Sequence, residues 1–169
     1  MEKIKIEKNG TSLVKIELND MGDYVAISAD SQNLFDKFAA GFKHIADLAD
    51  DLPKKLAEIE KKYADRTDFN AVMDKTIESS KESVKFSEEA VNVIDSIFGE
   101  GTVKKFFRNV YEEIPDFLPD AECIIDFFEK ISPIMEDLFN RKIEGYKKAS
   151  QERMARYVPQ DHKKASRKK

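Results

Sequence analysis

The sequence predicts a mainly α-helical protein that begins with a small antiparallel β-hairpin or three-stranded sheet, an α+β fold whose helical bundle contains one long helix. Three observations indicate this class. Apolar and charged residues alternate with a period of two only within residues 1–28, apolar residues then recur at steps of three and four as far as residue 146, and prolines or paired glycines interrupt that pattern at a few points. A chain of 169 residues is long enough to bury about 70% of its unfolded surface in one core.

The β elements are predicted from alternation and turn residues. Asn9-Gly10 separates two alternating runs, residues 4–6 and 14–18, and both turn residues tolerate the positive φ that a two-residue hairpin turn requires. A second turn at residues 20–22 precedes Tyr24, Val25 and Ile27, which predict a third short strand.

Two apolar stripes follow. Asp30 or Ser31 is suited to cap a helix that carries Leu34, Phe38, Phe42, Ile45 and Leu48 on one face. Pro53, after two aspartates, suits the first turn of a helix whose stripe runs from Leu52 to Tyr63. The two segments form either separate helices or one kinked helix.

The long helix begins after Asp68, which is a good N-cap residue. Its stripe, at steps of three and four, consists of Phe69, Met73, Ile77, Ser80, Val84, Ser87, Val91, Ile94 and Phe98. Thirty residues of helix span about 45 Å. Because residues 79–83 are polar, we expect this stretch to lie partly in solvent against a single neighbour, for which another subunit is a candidate.

The segment from Ile97 to Thr102 joins this helix to an aromatic one. Gly99 suits a left-handed residue at the end of a helix, and Thr102 suits the N-cap of the next. Two glycines without a preceding strand and without a following Lys-Ser/Thr do not fit a phosphate-binding loop, so Gly99-Glu100-Gly101 is interpreted as a tight turn.

The second half is rich in phenylalanine. One helix is predicted to carry Phe106, Phe107, Val110, Tyr111 and Ile114, residues 115–120 break it, and a last helical region runs from Cys123 to Tyr146, kinked or restarted at Pro133. Adjacent pairs such as Phe106-Phe107 point about 100° apart around a helix. Either the helix is covered from two sides, or part of this aromatic area is an interaction surface.

Charge is divided unevenly along the chain. Residues 141–169 carry 11 Lys/Arg and 3 Asp/Glu, which leaves the remainder acidic within an overall charge of −4. We predict one domain over residues 1–158, with the sheet in 1–28 and the helices in 30–158, and a basic disordered tail at 159–169. The tail is interpreted as solubilising or partner-steering, with acidic protein surfaces and nucleic acid as alternatives.

No catalytic, cofactor or metal site is predicted. Cys123 is the only cysteine and precedes two isoleucines, so it is interpreted as a small core residue; His44 and His162 lack partners at ligand spacing. Carboxylate pairs such as Glu88-Glu89 lie among lysines, as on solvated helix faces. With no candidate catalytic group, we do not expect an enzyme. No apolar run is long enough to span a membrane and no signal peptide is visible, so we expect a cytoplasmic protein.

The order of these motifs resembles the tail assembly chaperones of long-tailed bacteriophages and prophages of Gram-positive bacteria. The resemblance covers residues 1–158 and rests on the N-terminal hairpin, the long helix that closes at Ile94-Asp95-Ser96-Ile97-Phe98-Gly99-Glu100-Gly101, the aromatic helix, Pro115-Asp116-Phe117-Leu118-Pro119-Asp120, Lys130-Ile131-Ser132-Pro133 and a tyrosine-bearing last helix. Such proteins associate with one another and with the long helical tape-measure protein, whose apolar surfaces they cover in the host cytoplasm until tail-tube subunits displace them.

The resemblance thus implies a chaperone without ATP, cofactor or metal, and its partners would be the tape-measure protein, further copies of itself and the tail-tube protein. The aromatic crowding around the glycine turn supplies the candidate partner-binding residues, Phe98, Gly99, Gly101, Phe106, Phe107, Tyr111 and Phe117. The lysine-rich end is compatible with a frameshifted longer form. Two other classes stay open: a helical interaction module that remains in a virion or regulatory complex, and a nucleic-acid-binding regulator that uses the basic C-terminus.

Overall fold

The computed structural model describes residues 3–4 and 13–156 of the chain. Within these residues the elements are β1 (Lys3–Ile4), β2 (Leu13–Glu17), β3 (Tyr24–Ser28), α1 (Gln32–Lys62), α2 (Phe69–Phe98), α3 (Thr102–Phe106), α4 (Arg108–Glu113) and α5 (Ala121–Arg156). The predicted α+β class is confirmed, and the long helix predicted after Asp68 is accompanied by two others of similar length. The Asn9-Gly10 turn and the basic tail at 159–169 lie outside the described residues.

The strands form an antiparallel sheet in the order β1-β2-β3, which confirms the predicted third strand. Val14 lies opposite Ile27 and Ile16 opposite Val25, and all four side chains are buried. On the other face the Lys15 ammonium lies 4.5 Å from the centre of the Tyr24 ring. The period-two alternation therefore gives one face to the core and one to solvent.

Helix α1 is continuous through Pro53, so the two predicted segments are one helix. Its N-cap residue is Ser31, whose side chain makes no capping hydrogen bond. Asp51 does not cap a second helix and instead accepts a hydrogen bond from Lys54 at 2.9 Å. The apolar stripe on both sides of Pro53 packs along α2, and this tertiary packing outweighs the backbone hydrogen bond that proline removes. Helix α5 likewise continues through Pro133.

Helix α2 begins as predicted, because the Asp68 carboxylate accepts a hydrogen bond from the Ala71 amide at 2.9 Å. The turn after it differs from the prediction. Gly101, with φ of +80° and ψ of 9°, holds the left-handed conformation and is the N-cap of α3. Gly99, with φ of +112° and ψ of 152°, also has a positive φ but lies outside the left-handed helical region. Thr102 is the first helical residue rather than the cap, and its hydroxyl donates to the Gly99 carbonyl oxygen at 2.6 Å.

The cap of α3 comes from Asp95, one turn before the end of α2. Its carboxylate accepts hydrogen bonds from the amides of Gly101 at 2.9 Å and Val103 at 3.1 Å. The two positive-φ glycines fold the chain back so that these amides reach the carboxylate. A negative charge at the N-terminus of α3 also interacts favourably with the helix dipole.

The predicted aromatic helix is in fact two short helices that meet at Phe107. The break lets the adjacent rings face different neighbours, because Phe106 contacts Phe127 while Phe107 contacts Phe117. The break predicted at residues 115–120 is confirmed. It ends where the Asp120 carboxylate accepts a hydrogen bond from the Cys123 amide at 2.9 Å and caps α5.

One core joins the sheet to α1, α2, α3 and α5. Its centre contains Ile94, Ile124 and Phe127, which are fully buried. Helices α1 and α2 approach closely at Gly41, where a Cβ atom would lie 2.6 Å from Cδ1 of Ile97. This contact places the first half of α1 beside α2, and ring contacts such as Phe42 to Phe128 place it beside α5 as well.

Candidate functional site

The structure brings the predicted aromatic residues together in one row. From the core outwards, ring centres are separated by 5.9 Å (Phe98 to Phe127), 5.0 Å (Phe127 to Phe106), 4.7 Å (Phe106 to Phe107), 5.8 Å (Phe107 to Phe117) and 5.3 Å (Phe117 to Tyr111). All five pairs have the edge-to-face geometry that aromatic rings favour. We call this set the aromatic row.

The aromatic row lies largely inside the protein. Phe98 is only 6% exposed, and the other predicted aromatic residues are half-buried. Burial raises the pKa of the Tyr111 phenol, with a smaller contribution from the charge of Asp95. These rings therefore pack against one another, and the proposal that they contact a partner directly stays a prediction.

The two predicted glycines shape the turn rather than offer a surface. Neither would bring a Cβ atom within 4 Å of other atoms, so their requirement is the positive φ. The region after them is tied to the sheet by Asn19, whose amide donates to the Lys105 carbonyl oxygen at 2.6 Å, and by Arg108, which pairs with Asp23 at 3.0 Å. The hydrogen bonds from Asn19 and Arg108 lower the pKa of Asp23.

An apolar recess is found elsewhere, between α1 and α5, and Phe86 of α2 lines part of it. Two adjoining cavities of about 320 and 380 Å³ share Phe42 and Ser132. The first is lined by Phe42, Ile45, Ala46, Ala49, Phe86, Ala121, Ile124, Ile125, Phe128, Glu129 and Ser132. The second is lined by Phe35, Phe38, Ala39, Phe42, Ser132, Met135, Glu136 and Phe139. We call the two together the α1–α5 groove.

Large apolar side chains in the groove are accessible to solvent. Phe42 is 46% exposed, Ile125 50% and Phe139 45%. The rings of Phe42 and Phe128 are 5.2 Å apart, and those of Phe35 and Phe139 are 5.3 Å apart, so aromatic contacts between α1 and α5 form the floor. An exposed apolar recess of this kind is typical of a binding site for a small molecule or a protein helix.

The polar atoms in the groove are few and mostly acidic. Glu129 and Glu136 line it and are exposed, and neither has an ion pair or a hydrogen bond within residues 13–156. They are seven residues apart, two helical turns, and therefore lie on the same face of α5. A ligand in the groove would thus meet apolar area beside two unpaired negative charges.

The aromatic row supports the groove from behind. Phe127, which contacts both Phe98 and Phe106, is adjacent to Phe128, and their rings are 5.5 Å apart. Because the two side chains point about 100° apart on α5, Phe127 faces the core and Phe128 the groove. The sequence signal for this arrangement was the pair Phe127-Phe128, but nothing in it identified α1 as the opposite wall.

The residues considered for chemistry lie in different helices. Cys123 is half-buried at the start of α5 rather than in the core, and burial together with a hydrogen bond to Asp120 raises the pKa of its thiol. His44 is exposed on α1, where its Nε2 lies 2.6 Å from a carboxylate oxygen of Glu89. Across residues 3–4 and 13–156, no cluster of His, Cys, Asp and Glu is arranged to hold a metal ion.

Over the described part of the chain, no helix combines the length and the apolar character that a membrane span requires. In comparisons with known proteins, no protein-family model, no curated protein and no solved structure gave a significant match to this chain.

Proposed function

We propose that this protein is a tail assembly chaperone of the type found in long-tailed bacteriophages and prophages of Gram-positive bacteria. It associates with itself in the host cytoplasm and binds the tape-measure protein, which it keeps soluble before the tail tube polymerises. The single observation that carries the proposal is the α1–α5 groove, because its exposed apolar residues extend along α5 from Ile125 to Phe139 and amphipathic helices bind in hydrophobic grooves.

The length of the groove along α5 sets the length of the helix that it can bind. From Ile125 to Phe139, α5 rises about 21 Å, so a partner helix of about four turns would fill the groove. Its apolar residues would recur at i, i+3, i+4 and i+7 to contact Phe42, Phe128 and Phe139. Basic residues beside this stripe would lie near Glu129 and Glu136. The proposed ligand is therefore an amphipathic helix with basic flanks.

Release needs no energy source in this mechanism. Binding competes with aggregation of the apolar helices, and tail-tube subunits that bind the same segments more tightly displace the chaperone by mass action. The open groove suits this role, since a ligand held on one side by two helices dissociates without unfolding the protein. The same feature would serve a permanent interaction module, which differs only in remaining in the final assembly.

The experiment is affinity capture of the tagged full-length protein from host cells in which the source phage or prophage is active. The groove variant carries Ile125→Ser and Phe139→Ser. The matched control carries Ile114→Ser and Leu118→Ser, two exposed apolar residues outside the groove. We expect the wild type and the control to capture the tape-measure protein, the groove variant to lose it, and finished particles to contain none of the bait.

Four results would contradict the proposal. Capture of the bait alone would show that the protein does not bind the tape-measure protein. Bait that remains in finished particles would favour the interaction module. Capture of DNA that is released by salt would favour the nucleic-acid-binding regulator. Equal loss in the groove variant and the control would show that apolar area in general, rather than the groove, is responsible.

A further inference from the structure

The first half of α2 presents an apolar stripe to solvent instead of to α1. We call it the α2 outer stripe; its exposed apolar members are Phe69, Val72, Met73, Ile77 and Val84. Phe69 is the most exposed of them at 76%. The residues of this half that face α1 are different ones, namely Ala71, Lys75, Glu78 and Glu82, which are buried or half-buried. At 100° per residue, the two sets lie on nearly opposite faces of the helix.

Ion pairs between α1 and α2 fix this orientation. Lys62 lies 2.6 Å from Glu78, Lys75 lies 2.6 Å from Glu60, and Lys55 lies 3.4 Å from Glu82. The Tyr63 hydroxyl donates a second hydrogen bond to Glu78 at 2.9 Å. Turning the apolar stripe towards α1 would break all of these contacts, so the stripe is directed outwards by the same residues that hold the two helices together.

Two charged residues flank the stripe on one edge. Asp74 and Lys81 are seven residues apart and hence on the same side of α2. In the part of the chain that the structure describes, Asp74 has neither an ion pair nor a hydrogen bond. Lys81 also borders the polar cleft between α1 and α2, and its one interaction there is a weak Coulomb attraction to Glu78, whose carboxylate Lys62 and Tyr63 already bind. These charges are therefore available to a molecule that covers the stripe.

We propose that the α2 outer stripe is the contact surface between two copies of this chain, whose α2 helices pack antiparallel around a two-fold axis beside Ile77. In such an interface, residue i of one copy contacts residue j of the other and j contacts i. Asp74 of each copy then lies opposite Lys81 of the other. The midpoint between residues 74 and 81 lies within one residue of the midpoint of the stripe from Phe69 to Val84, as a self-complementary surface requires.

A parallel pair does not fit as well. It would place the edge that carries Asp74 and Lys81 against the opposite edge of the second helix, which holds Thr76 and Ser83. Both charges would then lack partners. The antiparallel pair gives two symmetric ion pairs around an uncharged centre.

This inference rests on the proposed function in one respect only, because it assigns a surface to the self-association named there. It uses none of the residues that line the α1–α5 groove. A failure of the dimer therefore leaves capture of the tape-measure protein as an independent test, and a failure of that capture leaves the dimer to be tested on purified protein.

The test is sedimentation equilibrium of the full-length protein over a range of concentrations, with circular dichroism to verify helix content. We expect the wild type to reach twice the monomer mass of 19.4 kDa. A variant with Met73→Ser and Ile77→Ser should remain monomeric with unchanged helix content, since both residues are exposed in the monomer.

Charge exchange tests the antiparallel register. Asp74→Lys alone, or Lys81→Asp alone, places like charges opposite each other twice per dimer, and we expect the dissociation constant to rise about tenfold. The double variant D74K/K81D should return it to about the wild-type value. A wild type that stays monomeric, a dimer that tolerates the Met73 and Ile77 changes, or a double variant that is no better than the single ones would overturn the proposal.

Discussion

Replacement of Asp95 by alanine is predicted to destabilise the protein at the turn between α2 and α3. The carboxylate accepts two backbone hydrogen bonds, from Gly101 at 2.9 Å and from Val103 at 3.1 Å. Alanine would leave both amides without their acceptor and remove the negative charge from the start of α3. Losses of this kind typically cost about 1–2 kcal/mol in the free energy of unfolding.

The assay is urea denaturation followed by circular dichroism, together with thermal melting. For a domain of this size, a loss of about 1.5 kcal/mol lowers Tm by about 3–6 °C. Asp95→Asn keeps one oxygen acceptor and should lose about half as much. The control is Ser96→Ala, because the Ser96 side chain is exposed and bonds only to the Val93 carbonyl oxygen. If Asp95→Ala and Ser96→Ala have the same stability, the capping role of Asp95 is refuted.

Two further predictions concern the core and the tie between the sheet and α4. Phe127→Ala should lower the free energy of unfolding by about 3–5 kcal/mol, because the side chain is fully buried and contacts three other rings. The control Met154→Ala, at an exposed residue, should change it by less than about 0.5 kcal/mol. Urea denaturation measures both. For Asp23, hydrogen bonds from Asn19 and Arg108 lower the folded-state pKa below 3.8, so its contribution to stability is present above that value and is lost as the pH falls through the folded-state pKa. Asp23→Asn should therefore be less stable than the wild type near neutral pH and approach it in acid, and a difference independent of pH would contradict this linkage.

Local chemistry made several features predictable from the sequence. Asp68, the turn at Gly99-Glu100-Gly101 and the break at residues 115–120 act over a few residues, and the structure contains all three, with the left-handed residue at Gly101 instead of Gly99. The alternation in β2 and β3 likewise specified which side chains are buried. Such signals depend on the backbone within one or two turns, so the sequence carries them directly.

Features that depend on the choice of neighbour were not predictable in this way. The apolar periodicity of α2 marked a face that runs from Phe69 to Phe98, but only its second half is buried. In the first half, the charges that α1 offers at Glu60 and Lys62 select the polar face of α2 instead. The α1–α5 groove was missed for the same reason, because its walls are separated by about 80 residues.

The aromatic residues illustrate both cases. Their crowding correctly indicated that they belong together, and the structure joins them in the aromatic row. Crowding alone does not distinguish rings that contact one another from rings that contact a partner. Phe106 contacts other rings because the break at Phe107 turns it inwards. No turn residue in the sequence predicts this break.

The ion pairs between α1 and α2 imply that the outer part of this helical hairpin responds to ionic strength differently from the rest of the protein. Near Glu60 and Glu78 the contact between the two helices includes several ion pairs, which salt screens, beside the buried side chains of Tyr63 and Ala71, whereas around Gly41 the helices are joined by close apolar contact. Amide hydrogen exchange in residues 55–82 should therefore accelerate as salt is added, while exchange around Ile94 should change little. The hairpin formed by α1 and α2 would then have a stable base around Gly41 and a tip, residues 55–82, that opens more readily as the salt concentration rises.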